Sequence, residues 1–229
     1  MGGTTLEATN DNTVILEGFF LEHPSFSHEV FGESFYTARF SVDRLSSQKD
    51  ILNITISSRI LGSGELDIAA YARITGQLRS YNKMENGKNK LMLTVFARSL
   101  EFPEERALEP NLIELTGFIC KEPIYRTTPF GREITDLLLA VNRHFNKTDY
   151  IPVLTWGKNA KFAQTMEIGD KVRVEGRLQS RTYTKVLADG TTDERVAFEV
   201  SSSLVVLLDS PEEESEPEDY PSCSSAHLA

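Results

Sequence analysis

The chain has 229 residues, a formal charge of -10 and 40% hydrophobic residues. That length holds one large domain or two ordinary ones. No apolar run approaches the roughly 18–20 residues of a membrane helix and MGGTTLEATNDNT lacks a charged-then-apolar signal pattern, so a soluble, cytoplasmic protein without membrane partners is expected. The acidic balance opposes a polyanionic partner, but it is unevenly spread: Asp209 to Asp219 hold seven acids and no Lys or Arg, leaving -3 for residues 1–208.

In chain order, the first dozen residues are small, polar and aperiodic, and predict a mobile arm. TVILEGFFLEHPSFSHEVFGESFYTARFSVDR follows, and sliding the chain against itself shows what it is. At a displacement of 99, Gly18 meets Gly117, Phe19 meets Phe118, Pro24 meets Pro123, Phe26 meets Tyr125, Phe31-Gly32 meets Phe130-Gly131, and Val42 and Arg44 meet Val141 and Arg143. At a displacement of 100, Arg73, Gly76, Leu78 and Ser80 meet Arg173, Gly176, Leu178 and Ser180. The chain therefore reads as a tandem duplication, with one domain over 13–102 and another over 111–208. PEERALEP between them is short and bounded by Pro103 and Pro110, which predicts a tight connection between packed domains.

The second repeat is the more legible. NLIELTGFICKEPIYRTTPFGREITDLLLAVNRHF, DYIPVLTWGKNAKFAQTMEIGDKVRVEGRLQSRTY and RVAFEVSSSLVVLL alternate apolar and polar residues with a period of two. Turn residues break them at Pro123, Pro129-Phe130-Gly131 and Asp189-Gly190, as in a small antiparallel barrel. Lys158 to Met166 differs, with Ala160, Ala163 and Met166 three apart, and predicts a short helix. The matching segment RILGSGELD carries Gly62 and Gly64 and is a poor helix former. Gly117 and Gly176 interrupt strands, as at the bends of a closed barrel, and Arg173 points opposite to Val172 and Val174, onto an outer face. The fold class is all-β with at most one short helix per repeat. The acidic, Pro- and Ser-rich segment 209–229 is expected to be a disordered tail.

Five strands with a helix between the third and fourth is the plan of a Greek-key oligonucleotide/oligosaccharide-binding (OB) barrel. Four segments, in this order, make the likeness specific: LTGFICKEP for the first strand and turn, FGREITDLLLAVNR for the second and third strands, VLTWGKNAKFA leading into the helix, and GDKVRVEGRLQSRTY. Along nearly the whole of 111–208 the chain resembles the bacterial single-stranded DNA-binding proteins. The resemblance implies two tandem five-stranded OB barrels, sequence-independent binding of single-stranded DNA, and a place in DNA replication, recombination or repair near the nucleoid. It also implies a homodimer, because two-barrel members of the family assemble four barrels, although the two barrels of one chain can equally pair with each other. Replication and repair proteins are implied as partners. Recruitment through the tail is in doubt, since SSAHLA stands where relatives end in an acidic stretch with a Pro-Phe tip.

Binding an unpaired strand needs flat side chains for the bases and cations for the phosphates. The resemblance carries the stacking role to Phe145, Tyr150, Trp156 and Tyr183; two are Tyr where relatives often have Trp, which implies weaker stacking. Phe145 lies in a polar stretch where a large ring has little structural use, and Tyr183 stands beside Arg181 and Lys185. Tyr150 opens an apolar strand with a polar tip that suits a surface. Trp156 follows Val153-Leu154-Thr155, a place that suits a core side chain as well as a stacking ring. Arg126, Arg132, Arg143, Lys147, Lys158, Arg177, Arg181 and Lys185 are the candidate phosphate contacts of this repeat. Each alone reads as a solubility charge, and His144 as a solvated loop residue.

At the matching positions the first repeat has Ser46, Ile51, Ser57 and Lys83, with Tyr81 on the same strand face as Lys83. Residues 1–103 hold ten Lys or Arg against twelve Asp or Glu. The first barrel is thus expected to serve mainly as a packing partner or a weak secondary groove, through Arg44, Arg79 and Tyr81. No nucleophile stands with its base and no metal-ligand spacing occurs; Asp149 and Asp170 are single acids beside turns. The expectation is no enzyme, no catalytic residue, no metal and no cofactor. Cys120 reads as a small buried hydrophobe and Cys223 as a tail residue, too few thiols for a metal site. The rival reading is a primosome-like scaffold that keeps its barrels for protein contacts.

Overall fold

The structure, a computed structural model, describes residues 11–62, 64, 66–85, 87–143, 147–186 and 190–208. The first repeat comprises β1 (Asn12–Phe20), β2 (Ser25–Val30), β3 (Glu33–Asp43), β4 (Lys49–Ser57), α1 (Ser58–Leu61), β5 (Ala72–Glu85) and β6 (Lys88–Glu101). The second comprises β7 (Asn111–Ile119), β8 (Ile124–Thr127), β9 (Glu133–Arg143), β10 (Lys147–Trp156), α2 (Lys158–Ala163), β11 (Lys171–Val186) and β12 (Thr192–Leu207).

In each repeat five strands close on themselves. β1 pairs with β3 and β5, β3 with β4, and β5 with β6, all antiparallel, while β4 and β6 run parallel and complete the ring. The second repeat closes identically through β7, β9, β10, β12 and β11. These are two tandem OB barrels. The sixth strand of each repeat, β2 or β8, hangs on the outer edge of β3 or β9. It is an addition to the five expected. FGREITDLLLAVNR holds one long strand, β9, and the third barrel strand is β10.

Alternation fixes what faces inward. Leu16, Phe40, Leu52, Ile54, Ile74 and Leu78 fill the first barrel, and their counterparts Leu115, Leu139, Ile151, Val153, Val174 and Leu178 fill the second, none more than 2% exposed. Each such side chain gives about 1.5–3 kcal/mol on burial. Arg173 stands half-exposed between fully buried Val172 and Val174, as its place in the alternation requires. β5 and β11 bend at bulges before Gly76 and Gly176. A Cβ at either glycine would lie 2.3 Å from a backbone oxygen, of Phe96 or Ser201, so the ladders approach too closely for a side chain.

α2 buries Ala160 and Ala163 and ends before Met166, which is buried in the turn that follows. α1 is a single turn stopped at Gly62, whose φ is 72°. Cys120 is half-buried, its thiol donating to Leu138 O at 3.2 Å, and burial pushes its pKa up. Cys223, Asp189, the 1–10 arm and the 209–229 tail lie outside the described residues.

The connection is laid on the first barrel. Pro110 O accepts from Glu17 N at 2.7 Å, and Ala107 N donates to Glu17 Oε2 at 2.9 Å. Arg106 lies over the rings of Phe19 and Tyr71, 5.4 and 4.9 Å from their centroids. Glu17 is 2% exposed and is also bonded by Arg73 Nε at 2.6 Å. Burial alone would raise its pKa, but the Ala107 N–H, Arg73 and Tyr71 outweigh it and hold the carboxyl below its ordinary 4.5; burial, with the same carboxylate, pushes Tyr71 up to about 12. A depressed folded pKa means that Glu17 stabilises the fold fully above about pH 4.5 and ceases to as pH falls through the folded value. Urea titrations across pH should therefore show Glu17→Gln less stable than wild type at pH 7, with the gap narrowing toward pH 3; a gap independent of pH would contradict this.

Candidate nucleic-acid interface

The two barrels meet along one continuous sheet. β1 and β7 pair antiparallel, with Val14 opposite Ile113, its own counterpart in the repeat, so a pseudo-twofold axis passes between these two residues. Around that axis each barrel passes a hairpin arm onto its neighbour. Ser80 of β5 reaches the start of β10: its N–H donates to Asp149 Oδ1 at 2.5 Å, its Oγ accepts from Tyr150 N at 2.8 Å, and its carbonyl accepts from Arg143 at 3.1 Å. Ser180 of β11 does the same at β4, through Asp50 Oδ1 at 2.7 Å, Ile51 N at 3.0 Å and Arg44 at 2.9 Å.

Asp50 and Asp149 are both 0% exposed. Asp149 is paired with Arg143 of its own barrel and with Arg79 of the other at 3.5 Å; Asp50 is paired with Arg44 at 2.5 Å and with Arg177 at 3.3 Å. Arg79 is braced by Gln77 and Arg177 by Gln179, so Arg and Gln exchange places between the repeats while each guanidinium reaches the equivalent aspartate of the other barrel. Asp149 is thus no isolated acid beside a turn.

This settles where four of the candidate cations stand. Arg44, Arg79, Arg143 and Arg177 are part-buried ligands of the inter-barrel carboxylates. The remaining ones line up differently. On the outward face of β11 and β12, Arg177 lies opposite Ser201, Gln179 opposite Glu199 and Tyr183 opposite Arg195. Trp156, half-buried at the end of β10, donates from Nε1 to Ser201 Oγ at 3.1 Å and so joins this face. Arg181 pairs with Glu199 at 3.2 Å and lies 5.5 Å from the centroid of Tyr183, which is 37% exposed. Arg126, on β8, pairs with Asp136 at 2.6 Å; that bond, with Glu199 behind it, holds its guanidinium above the ordinary value.

The structure therefore brings together Trp156, Tyr183, Arg126 and Arg181. Tyr150, 48% exposed, stands at the seam with the first barrel. Arg132 lies exposed in the turn before β9, and Lys158 exposed at the first residue of α2. Lys147 is exposed at the start of β10; His144, Phe145 and the side chain of Lys185 lie outside the described residues. Two acids in this groove, Asp136 and Glu199, escape sequence reasoning because single acids in alternating strands read as solvated charges. The Asp–Ser exchange leaves a signal that was there to be found: Asp50 and Asp149 coincide at the same displacement as Arg44 and Arg143.

The profile of the single-strand binding protein family matches residues 110–205. A single-stranded DNA-binding protein of Clostridium tetani is 37% identical over 106 residues, covering 43% of this chain and 70% of that protein. The chain belongs to the single-strand binding protein family. Another relative, single-stranded DNA-binding protein 1 of Clostridium acetobutylicum, is 40% identical over 84 residues, 33% of this chain and 76% of that protein. Other members are matched over about half their length, 53% and 50%. Among solved structures, the wild-type single-stranded DNA-binding protein of Thermus aquaticus superposes with a TM-score of 0.70 at 21% identity, covering 90% of this chain and 96% of that one, which establishes the shared two-barrel fold.

Removing one partner of a buried ion pair leaves the others uncompensated, at about 3–5 kcal/mol. Asp149→Ala should lose stability of that order in urea denaturation, with Asp50→Ala close to it. A loss below about 1 kcal/mol, the range of exposed pairs, would mean that the exchange does not hold the barrels together.

Proposed function

We propose that the chain binds single-stranded DNA without sequence preference, as a binding protein and not an enzyme. Bases stack on Tyr150, Trp156 and Tyr183, with Phe145 as the fourth ring, and Arg126, Arg132, Lys158 and Arg181 meet the phosphates. The observation that carries the reading is the gathering of Trp156, Tyr183, Arg126 and Arg181 on one open face. Such a platform gives affinity indifferent to base identity, because every base has a flat face. Asp136 and Glu199 are already paired with Arg126 and Arg181, so phosphates compete with carboxylates for these two cations. We place the protein in replication, recombination or repair in the cytoplasm at the nucleoid, as a homodimer of four barrels, with other replication and repair proteins as partners. Domain limits of 13–102 and 111–208 are part of this reading.

The same two acids favour a second reading, a scaffold whose barrels contact proteins and have little DNA affinity. One titration separates them. Trp156 is the sole tryptophan, and its fluorescence should be strongly quenched by oligothymidine, with affinity falling as salt rises by a log–log slope of about -0.7 per phosphate neutralised. Trp156→Ala should weaken binding by about 1–3 kcal/mol. An unmoved signal together with no complex on a gel would favour the scaffold.

A further inference from the structure

The first barrel lacks aromatics at the four positions read from the repeat displacement, yet its outward face is not bare. The displacement changes along the chain: it is 100 between β5 and β11, but Ala97 lies opposite Gly76 where Ser202 lies opposite Gly176, so between β6 and β12 it is 105. With that register, Phe96 is the counterpart of Ser201. In the parallel ladders, Thr55 stands beside Phe96 and Leu154 beside Ser201. In the second barrel the ring comes from β10, as Trp156, and its small partner from β12. In the first barrel the small residue is on β4, as buried Ser57, and the ring on β6. The platform has moved one strand across the barrel.

Charge follows the same register. The acids of the second groove, Asp136 and Glu199, correspond to Thr37 and Thr94, and Thr94 bonds Thr55 at 2.9 Å instead of binding a cation. A cleft of about 660 Å³ opens here, and among the described residues its lining contains no Asp or Glu. Arg79 lies 5.9 Å from the centroid of Phe96, which packs on Phe35 at 5.6 Å, and Phe35 is stacked by His28 at 5.1 Å. Tyr81 is 48% exposed at the rim. Arg98 is held at the mouth by Gln77 at 2.9 Å. Arg143 and Lys147 of the second barrel complete the wall, so both barrels contribute cations to the cleft. Of these four cations, Arg79, Arg98, Arg143 and Lys147, Arg79 and Arg143 are paired with the buried carboxylate of Asp149.

We propose that this composite cleft is a second groove for single-stranded DNA, in which bases stack on Phe96 and Tyr81 and phosphates meet Arg98 and Lys147. It rests on the reading of the second barrel as a single-strand binding surface and extends it: a strand leaving the Trp156 groove meets a surface with fewer acids than the one it left. Of its residues, Arg79, Tyr81, Arg143 and Lys147 were legible in the sequence, and Phe96 and Arg98 were not.

Moving the reporter tests it. In the full chain, Trp156→Phe combined with Phe96→Trp leaves a single tryptophan in the new cleft. Titration with an oligothymidine of about 30 nucleotides, long enough to span two OB sites, should quench it saturably, in parallel with quenching of Trp156 in the wild-type chain. If the relocated tryptophan is silent while its chain still retards the oligonucleotide on a gel and wild-type Trp156 is quenched, the second-barrel reading stands and this inference is overturned. If neither chain forms a complex, both fall. Should circular dichroism show the relocated-reporter chain unfolded, Tyr81→Ala with Arg98→Ala decides. It should weaken binding of the same oligonucleotide roughly 5- to 150-fold, the loss of one stacked base, and unchanged affinity would overturn the proposal.

Discussion

Two buried aspartates, each held by arginines and each bonded to a backbone N–H of the other barrel, determine how this molecule presents itself. Asp50 and Asp149 are fully removed from water, and an isolated carboxylate there would be very costly. What makes them tolerable is that Arg44 and Arg177, or Arg143 and Arg79, converge on them from both barrels. Neither site is complete within one repeat. The carboxylates therefore specify the relative placement of the barrels, where the β1–β7 ladder alone, built of non-directional apolar contacts and uniform backbone bonds, would leave the register less uniquely defined.

That placement has a consequence for the grooves. The arms that carry Ser80 and Ser180 also carry Arg79 and Tyr81, or Arg181 and Tyr183, so the contact that fastens the barrels sits at the root of each proposed binding face. Arginines that a sequence reading offers to phosphates are consumed in this contact, while Arg98, Arg126, Arg181 and Lys147 face outward. The two faces are related by the pseudo-twofold axis but are not chemically equivalent. One has tryptophan and two carboxylates, and the other has phenylalanine and threonines. The large ring of each face stands on a different strand of its barrel, Trp156 on β10 and Phe96 on β6, each beside one small residue.

The fold was legible because duplication gave the sequence an internal control. Strand and turn markers recurring at displacements of 99 and 100 located both barrels, and the observed registers, Phe20 opposite Phe40 and Ile119 opposite Leu139, repeat that displacement. The short outer strands escaped because Ser25–Val30 and Ile124–Thr127 bury none of their own residues and show no inward alternation. For the candidate site, Trp156, Tyr183, Arg126 and Arg181, which the structure sets on one face, could be named from the sequence because ring and cation lie close in the chain or in a family pattern. Phe96 escapes a repeat comparison for a geometric reason: the β11–β12 hairpin is longer than the β5–β6 hairpin, so a fixed displacement loses register on the very strand that carries the ring. The ligation of Asp50 and Asp149 was missed because it joins residues far apart in the chain.

The barrels form one locked body, and amide hydrogen exchange of the full chain reads that lock at its two donors. If the carboxylates fasten the barrels, the Ser80 and Ser180 amides will exchange as slowly as those of the β1–β7 ladder beside Val14 and Ile113, since all must open in one event. If both serine amides exchange orders of magnitude faster while the ladder stays protected, the arms swing free, the shared groove has no fixed walls, and the account is wrong.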